Sequence, residues 1–260
     1  MNSYKFIKVD CSYSKINYIP TTNQFPMRSV LVAFGLLIFM MSCSSSSEAL
    51  KPEESEIQDS PDNLGYLALG DSYTIGESVA EDMRWPVQLV GQLRDKEVKI
   101  NSPKIIAKTG WTTDNLLNAM DANLGNEKYD LVSVLIGVNN QYQNKSIVDY
   151  EADLNTIFTE AIASSKTGKE GVFVVSIPDY GATPFGASNA EEIGREITEF
   201  NTVLKKVANQ FDVSFYNITP ISKMAKSDGS LVASDGLHPS GKMYKLWVDL
   251  FFDEVFKKLP

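Results

Sequence analysis

The chain has 260 residues, of which 43% are apolar and 10% aromatic, so it is long and apolar enough to fold around a complete core. Its formal net charge of −9 argues against binding nucleic acid or anionic lipid head groups through bulk charge. One histidine and two cysteines are also too few nitrogen and sulfur ligands for a zinc cluster. We therefore expect a globular protein without a nucleic-acid partner or a metal. An all-oxygen calcium site stays open, although no ligand spacing indicates one.

An apolar segment near the start of the chain predicts export. Met27-Arg28 precedes the apolar run 30–41, which is shorter than the roughly 20 residues of a membrane-spanning helix. A basic start, a short apolar run and a small residue before a cysteine are typical of a signal segment, so Met27 is the expected start. Ser42-Cys43 resembles the lipobox of bacterial lipoproteins, which implies acylation of Cys43 and a lipid anchor in the cell envelope. A signal cleaved later, or a plain membrane anchor, is the alternative.

Cleavage before Cys43 divides the chain into a leader at 1–42, a tether at 43–63 and a domain at 64–260. The tether is rich in Ser, Glu and Pro, a composition typical of flexible linkers. Cys11 would leave with the leader, so Cys43 has no partner for an internal disulfide and the domain must rely on its core. The leader carries four basic and one acidic side chain, and its loss changes the formal net charge from −9 to −12.

From Leu64 onward, short apolar runs alternate with longer amphipathic segments, which is typical of an α/β protein with a parallel sheet. Strands are predicted, in chain order, at 66–69, 104–107, 131–136, 172–177 and 213–216. Helices are predicted between and after them at 85–94, 113–123, 147–165, 191–210 and 240–258. In the third of these helices the apolar residues recur at three-to-four spacing, so one face should pack on the sheet.

Polar and glycine residues follow four of the predicted strands. They are Gly70-Asp71-Ser72, Thr109-Gly110-Trp111, Gly137-Val138-Asn139-Asn140 and Pro178-Asp179-Tyr180-Gly181. Such residues suit any turn, so one of these motifs alone says little. Open parallel sheets, however, bind ligands beyond the carboxyl ends of their strands. Four such loops in succession predict a site at that edge of the sheet.

The chain's one histidine, His238, lies in Asp235-Gly236-Leu237-His238-Pro239. A serine nucleophile needs a neighbouring base and a third group that fixes the tautomer of that base. Ser72 and Asp235 would supply the nucleophile and the third group. The competing interpretation is that His238 is an ordinary surface or core residue. The loop around Ser72 matches neither a nucleotide-binding glycine loop nor the Gly-x-Ser-x-Gly elbow of the α/β-hydrolases.

These motifs, taken in order, resemble the blocks of the SGNH, or GDSL, hydrolases from about Leu64 to the C-terminus. Gly70-Asp71-Ser72 resembles the first block, Gly110 the second-block glycine, Asn139 the third-block asparagine, and Asp235-Gly236-Leu237-His238 the last block. The resemblance implies a flavodoxin-like α/β/α sandwich with a five-stranded parallel sheet. It also implies a serine esterase with Ser72, Asp235 and His238 as its triad, with no cofactor. The amides of Ser72 and Gly110 and the Asn139 side chain would hold the oxyanion.

The substrate is less defined, because the family includes lysophospholipases, thioesterases, arylesterases and carbohydrate deacetylases. We expect a lysophospholipid or another short acyl ester, with O-deacetylation of an envelope carbohydrate as the alternative. A third possibility is an inert surface binding protein on the same scaffold. Four aromatic residues near the predicted edge are candidates for the substrate pocket, although aromatic residues in loops also serve local packing: Trp111, Tyr142, Tyr180 and Phe185.

One position departs from the family pattern. The aspartate that usually follows the third-block asparagine is Asn140 here, and we expect changed hydrogen bonds in its loop rather than lost catalysis. Asp71, beside the nucleophile, is predicted to be structural rather than an acid or base, because Asp235 has the better spacing to His238.

Overall fold

The computed structural model describes residues 58–260, so the predicted leader, Cys43 and most of the predicted tether lie outside the described residues. Five parallel strands form one sheet in the order β2-β1-β3-β4-β5. The strands are β1 (Tyr66–Gly70), β2 (Lys104–Ala107), β3 (Leu131–Leu135), β4 (Val172–Val175) and β5 (Ser214–Tyr216). The strands β1 and β3 are buried over their whole length, as expected for central strands covered by helices on both faces.

Eight α-helices lie in the described part of the chain. They are α1 (Ser72–Ile75), α2 (Trp85–Asp95), α3 (Thr113–Asn123), α4 (Val138–Tyr142), α5 (Ile147–Ser164), α6 (Ala190–Gln210), α7 (Thr219–Ser222) and α8 (Gly241–Phe256). The helix α2 packs against α8, and α5 packs against both α3 and α6. This arrangement confirms the predicted α/β fold with a five-stranded parallel sheet. Within residues 58–260, no helix is both long and apolar enough to cross a bilayer.

Each predicted strand and long helix is present, and most differences are at the ends. The strand predicted at 172–177 ends at Val175, before Ser176 and Ile177. The amide of Ile177 donates to Asn201 Oδ1 on α6 at 2.8 Å, and Asn201 Nδ2 donates back to the Ile177 carbonyl at 2.9 Å. A side chain therefore takes the hydrogen bonds that a strand partner would otherwise make.

Residues 58–63, predicted as the end of the tether, are hydrogen bonded to the domain. The Asp59 carboxylate accepts from the Ser102 amide at 2.8 Å and from Arg94 at 3.0 Å. The Ser60 amide donates to Asn101 Oδ1 at 2.8 Å. The hydrogen bonds from Ser102 and Arg94 outweigh the small cost of burial and hold the pKa of Asp59 below its ordinary value. The contacts of the domain thus begin before Leu64.

Candidate active site

Ser72 is placed by the transition from β1 to α1. It is the first residue of that short helix, and its side chain is almost fully buried. The preceding Asp71 caps the helix by accepting from the Tyr73 amide at 3.0 Å. A Cβ atom on Gly70 would collide with Thr74 Oγ1 and the Leu135 carbonyl, so only glycine fits there. The first two residues of the Gly-Asp-Ser motif thus meet the steric and capping requirements of this strand-to-helix turn, which places Ser72 at the start of α1.

His238 and Asp235 are joined by both backbone and side-chain hydrogen bonds in the loop before α8. Asp235 Oδ1 accepts from the amides of Leu237 and His238, each at 2.9 Å. Asp235 Oδ2 accepts from His238 Nδ1 at 2.6 Å. The carboxylate therefore fixes both the turn and the imidazole, which leaves Nε2 as the ring nitrogen available to accept a proton.

The sequence did not indicate Ser78, yet its hydroxyl reaches the same carboxylate. Ser78 Oγ donates to Asp235 Oδ2 at 2.7 Å, and Ser78 has a left-handed backbone with φ of 64°. Partial burial opposes the charged form of Asp235. The hydrogen bonds from Ser78 and His238 and from two backbone amides outweigh that cost and hold the pKa of Asp235 well below its usual range. No motif marks Ser78, because the contact spans 157 positions of the chain.

The imidazole of His238 is also held by aromatic packing. Its ring centroid lies 5.5 Å from that of Tyr73, the residue after Ser72. Tyr73 in turn packs against Trp247 of α8, with ring centroids 6.4 Å apart. Both Tyr73 and Trp247 are buried. The terminal helix thus supports the relative position of the first and last motifs.

Ser72, Gly110, Asn139 and His238 line one cleft with a volume of about 170 Å³. Gly110 has φ of +83°, and a Cβ there would meet no atom within 4 Å, so its backbone conformation rather than crowding favours glycine. Asn139 Nδ2 donates one hydrogen bond to the Trp111 carbonyl at 2.9 Å, which orients the amide and leaves its second hydrogen available. The structure gives Ser72 Oγ no hydrogen bond to the His238 ring.

Three of the four predicted pocket aromatics form one wall of this cleft. Tyr142, Tyr180 and Phe185 line it, and their ring centroids are 6.2 to 6.3 Å apart in each pair. Trp111 is not among the lining residues. It packs against the core, and it serves the site through its backbone carbonyl, which holds Asn139.

Asn140, the departure from the family pattern, joins the third-block loop to α3. Its Oδ1 accepts from the Thr113 amide at 3.0 Å, and its Nδ2 donates to Thr113 Oγ1 at 2.7 Å. Thr113 Oγ1 then donates to the Asp153 carboxylate on α5 at 2.5 Å. The carboxylate of this network therefore lies at position 153, two hydrogen bonds away from the position where the family places it.

Asp71 is fully buried, and only one of its carboxyl oxygens has a hydrogen-bond partner among the described residues. Burial raises its pKa to about 7, against the smaller opposing effect of its hydrogen bond from the Tyr73 amide. Across residues 58–260, no group of three or more His, Cys, Asp or Glu side chains is placed to hold a metal ion.

Comparison with known proteins identifies the family of this chain and a shared fold. The family model described as GDSL-like Lipase/Acylhydrolase family matches residues 68–246. Among solved structures, a lipase/acylhydrolase from Enterococcus faecalis is 21% identical with a TM-score of 0.61, covering 76% of this chain and 97% of that one. An acetylxylan esterase from Geobacillus stearothermophilus is 20% identical with a TM-score of 0.58, covering 74% and 94%. At this identity the structures show a shared fold. No curated protein matches the chain.

Proposed function

Because the chain belongs to the GDSL-like lipase/acylhydrolase family, whose members hydrolyse esters, we propose that it cleaves carboxylic esters through Ser72, His238 and Asp235. The observation that carries this proposal is the cleft where Ser72 and His238 lie together, with Asp235 hydrogen bonded to His238 Nδ1 at 2.6 Å. Apart from Ser72, Thr109, Asn139 and His238, the cleft is lined by Gly110 and by aromatic and aliphatic side chains. This arrangement supplies a nucleophile, a base and a group that orients the base.

In the proposed reaction, Ser72 Oγ attacks the ester carbonyl carbon while His238 Nε2 accepts the hydroxyl proton. Asp235 stabilises the resulting imidazolium. The tetrahedral oxyanion accepts hydrogen bonds from the amides of Ser72 and Gly110 and from Asn139 Nδ2. Collapse breaks the carbon–oxygen bond to the alcohol, which leaves with the proton from His238. Water, deprotonated by His238, then releases the acid from Ser72 and restores the hydroxyl.

This mechanism requires Ser72 Oγ and His238 Nε2 to share a proton when substrate is bound. Catalytic hydrogen bonds are often long or misaligned in ligand-free sites and tighten in the substrate complex. The backbone on both sides is already fixed, because Asp71 accepts from the Tyr73 amide and Asp235 accepts from the His238 amide.

The cleft favours a short acyl group. Its volume of about 170 Å³ is below the roughly 300–1,000 Å³ of sites that enclose drug-sized ligands. A long lysophospholipid chain would extend beyond it, whereas an acetyl or similarly short group would be enclosed. A carbohydrate O-acetyl ester therefore fits the cleft better than a lysophospholipid, and the acetylxylan esterase from Geobacillus stearothermophilus shares this fold.

A proposal of location rests on the sequence before residue 58. We propose that the protein is exported and anchored in the cell envelope through acylated Cys43. Labelling cells with a fatty-acid probe should mark the wild-type protein but not Cys43→Ala. Label-free protein outside the cytoplasm would contradict the anchor and favour an ordinary signal segment.

Hydrolysis of 4-nitrophenyl acetate by the purified chain tests the proposed catalytic residues. Ser72→Ala and His238→Ala should each lower kcat by at least about 1,000-fold. Ser227→Ala, which removes an exposed hydroxyl bonded only to the Met224 carbonyl, is the matched control and should keep the wild-type rate. Equal rates in all four proteins would exclude this mechanism.

A further inference from the structure

A second cavity adjoins the catalytic cleft and has a volume of about 350 Å³. The two share Tyr142, Tyr180 and Phe185, so these rings form a common wall. The rest of the catalytic cleft consists of Ser72, Asn139 and His238 together with Tyr73, Thr109, Gly110, Val138 and Leu237. The second cavity is lined mainly by side chains with hydrogen-bonding groups: Gln141, Asn144, Ser188, Asn189, Glu192 and Glu196.

The inner part of this polar cavity is preorganised. Tyr180, which is buried, donates its hydroxyl hydrogen to Gln141 Oε1 at 2.9 Å. Gln141 Nε2 then donates to Glu196 Oε2 at 2.8 Å. Each member of this series orients the next, so the Glu196 carboxylate is held in place as an acceptor. Preorganised polar groups are what give a ligand site its orientation and specificity.

The outer part carries two exposed aromatic rings. Tyr142 is 56% exposed and Phe185 50% exposed, although most large apolar side chains of the domain are buried. Their ring centroids lie 6.2 Å apart. Exposed rings beside fixed hydrogen-bonding groups match a ligand with apolar faces and polar edges, because the rings pack on the faces while the polar groups bind the edges.

The negative charge of the cavity lining limits which chemical groups of a ligand can bind there. Glu192 and Glu196 line it, and no lysine or arginine is among its lining residues. Arg195 lies outside the lining, 3.9 Å from Glu192 and 3.7 Å from Glu196. A phosphate or carboxylate group would meet two like charges there. A hydroxyl group, in contrast, donates well to a carboxylate.

We infer that this polar cavity binds the alcohol part of the ester as a neutral sugar, so that the substrate is an O-acetylated oligosaccharide whose acetyl group enters the catalytic cleft. The inference rests on the proposed ester hydrolysis at Ser72. The shared aromatic wall places the two parts of one substrate next to each other. Amide, hydroxyl and carboxylate groups from α4, α6 and the segments next to them suit a polyhydroxylated ring better than a compact cation.

The test compares kcat/KM for O-acetylated xylotriose with kcat/KM for 4-nitrophenyl acetate. Ser188→Trp fills the polar cavity, and Ala187→Trp places the same bulk on the adjacent exposed residue outside it. The ratio of the two kcat/KM values should fall at least tenfold in Ser188→Trp and stay near wild type in Ala187→Trp. An equal ratio in both variants would overturn the inference.

A second pair of variants tests the same cavity with substitutions that hardly change the size of the side chain. Glu192→Gln should lower the same ratio about threefold or more, and Glu191→Gln, an identical change at the neighbouring residue outside the cavity, should not.

Acetylcholine and lysophosphatidylcholine serve as further substrates. A preference for either one over acetylated xylotriose would overturn the sugar assignment. Ser72-dependent cleavage of 4-nitrophenyl acetate with unchanged ratios would reject this subsite alone, whereas loss of Ser72 dependence would reject the proposed function.

Discussion

Ser78 Oγ donates to Asp235 Oδ2 at 2.7 Å, the same oxygen that accepts from His238 Nδ1 at 2.6 Å. The carboxylate thus receives two side-chain and two backbone hydrogen bonds. Ser78 achieves this contact with φ of 64°, a conformation that costs a non-glycine residue about 1 kcal/mol or more. Strain at a residue that touches the proposed triad indicates that its hydroxyl supports the position and charge of Asp235.

Two replacements of Ser78 distinguish the effect of its hydroxyl group from the effect of its strained backbone. We expect Ser78→Ala and Ser78→Gly to lower kcat for 4-nitrophenyl acetate about three- to tenfold, since both lose an exposed hydrogen bond to a charged group. Glycine adopts the left-handed conformation readily, so Tm should be higher in Ser78→Gly than in Ser78→Ala. Wild-type kcat in both variants would show that Ser78 has no influence on the site.

Asn139 should be the most sensitive residue of the cleft outside the triad. Asn139→Ala removes a proposed oxyanion donor and should lower kcat about 100- to 1,000-fold, with a smaller change in KM. The matched control is Asn118→Ala, which changes the same residue type at an exposed position of α3 where the side chain donates only to the Asp114 carbonyl. With 4-nitrophenyl acetate as substrate, a comparable loss of kcat in both variants would contradict the role of Asn139.

The hydrogen bonds of Asn140 suggest that a second carboxylate in this network would destabilise the fold. In Asn140→Asp, two carboxylates would compete for the single Thr113 hydroxyl hydrogen, at a position that is only 3% exposed. We expect this variant to lose about 1–3 kcal/mol of unfolding free energy at neutral pH. Asp153→Asn should also destabilise the protein.

The double variant Asn140→Asp with Asp153→Asn restores one carboxylate and one amide to the network. It should recover at least half of the summed losses of the two single variants in denaturant unfolding. Strict additivity of the two losses would show that residues 140 and 153 do not interact through Thr113.

Asp71 should make stability depend on pH. In the unfolded chain its carboxyl ionises near the ordinary value of 3.8, whereas burial raises the pKa in the folded chain to about 7. Between these values the folded state binds more protons than the unfolded state, so this group's contribution to unfolding free energy falls as pH rises.

The variant Asp71→Asn keeps a capping side chain without this titration. Its unfolding free energy relative to wild type should therefore increase by roughly 2–4 kcal/mol between pH 4 and pH 8. Urea unfolding at a series of pH values measures the difference. A difference that is constant over that range would show that Asp71 is ionised normally in the folded protein.

Much of the fold followed from patterns that are local in the chain. The alternation of apolar runs and amphipathic segments predicted all five strands, because burial on both faces of a parallel sheet demands continuous apolar residues. Turn residues after the strands likewise marked the loops that carry Ser72, Gly110 and Asn139, whereas His238 was marked as the single histidine with an aspartate three residues before it. The misplaced end of β4 had a non-local cause, since Asn201 on α6 takes the hydrogen bonds of Ile177.

The features that the sequence did not predict are contacts between distant residues. Ser78 meets Asp235, and Asp153 completes the network of Asn140 through Thr113. Trp111 looked like a pocket residue because it is aromatic and follows Gly110, yet its backbone rather than its ring serves the site. Strand order and motifs predicted which loops meet at one edge of the sheet, but they do not show which side chains from distant segments form hydrogen bonds there.

Covalent labelling with a fluorophosphonate ester tests the central claim most directly. Attack by Ser72 Oγ on phosphorus would expel fluoride and leave a stable phosphonyl adduct, with His238 accepting the hydroxyl proton. Mass spectrometry of the wild-type chain should show one adduct, located on Ser72, which Ser72→Ala lacks and His238→Ala forms much more slowly. An adduct on another residue, or equal labelling of wild type and Ser72→Ala, would contradict Ser72 as the nucleophile.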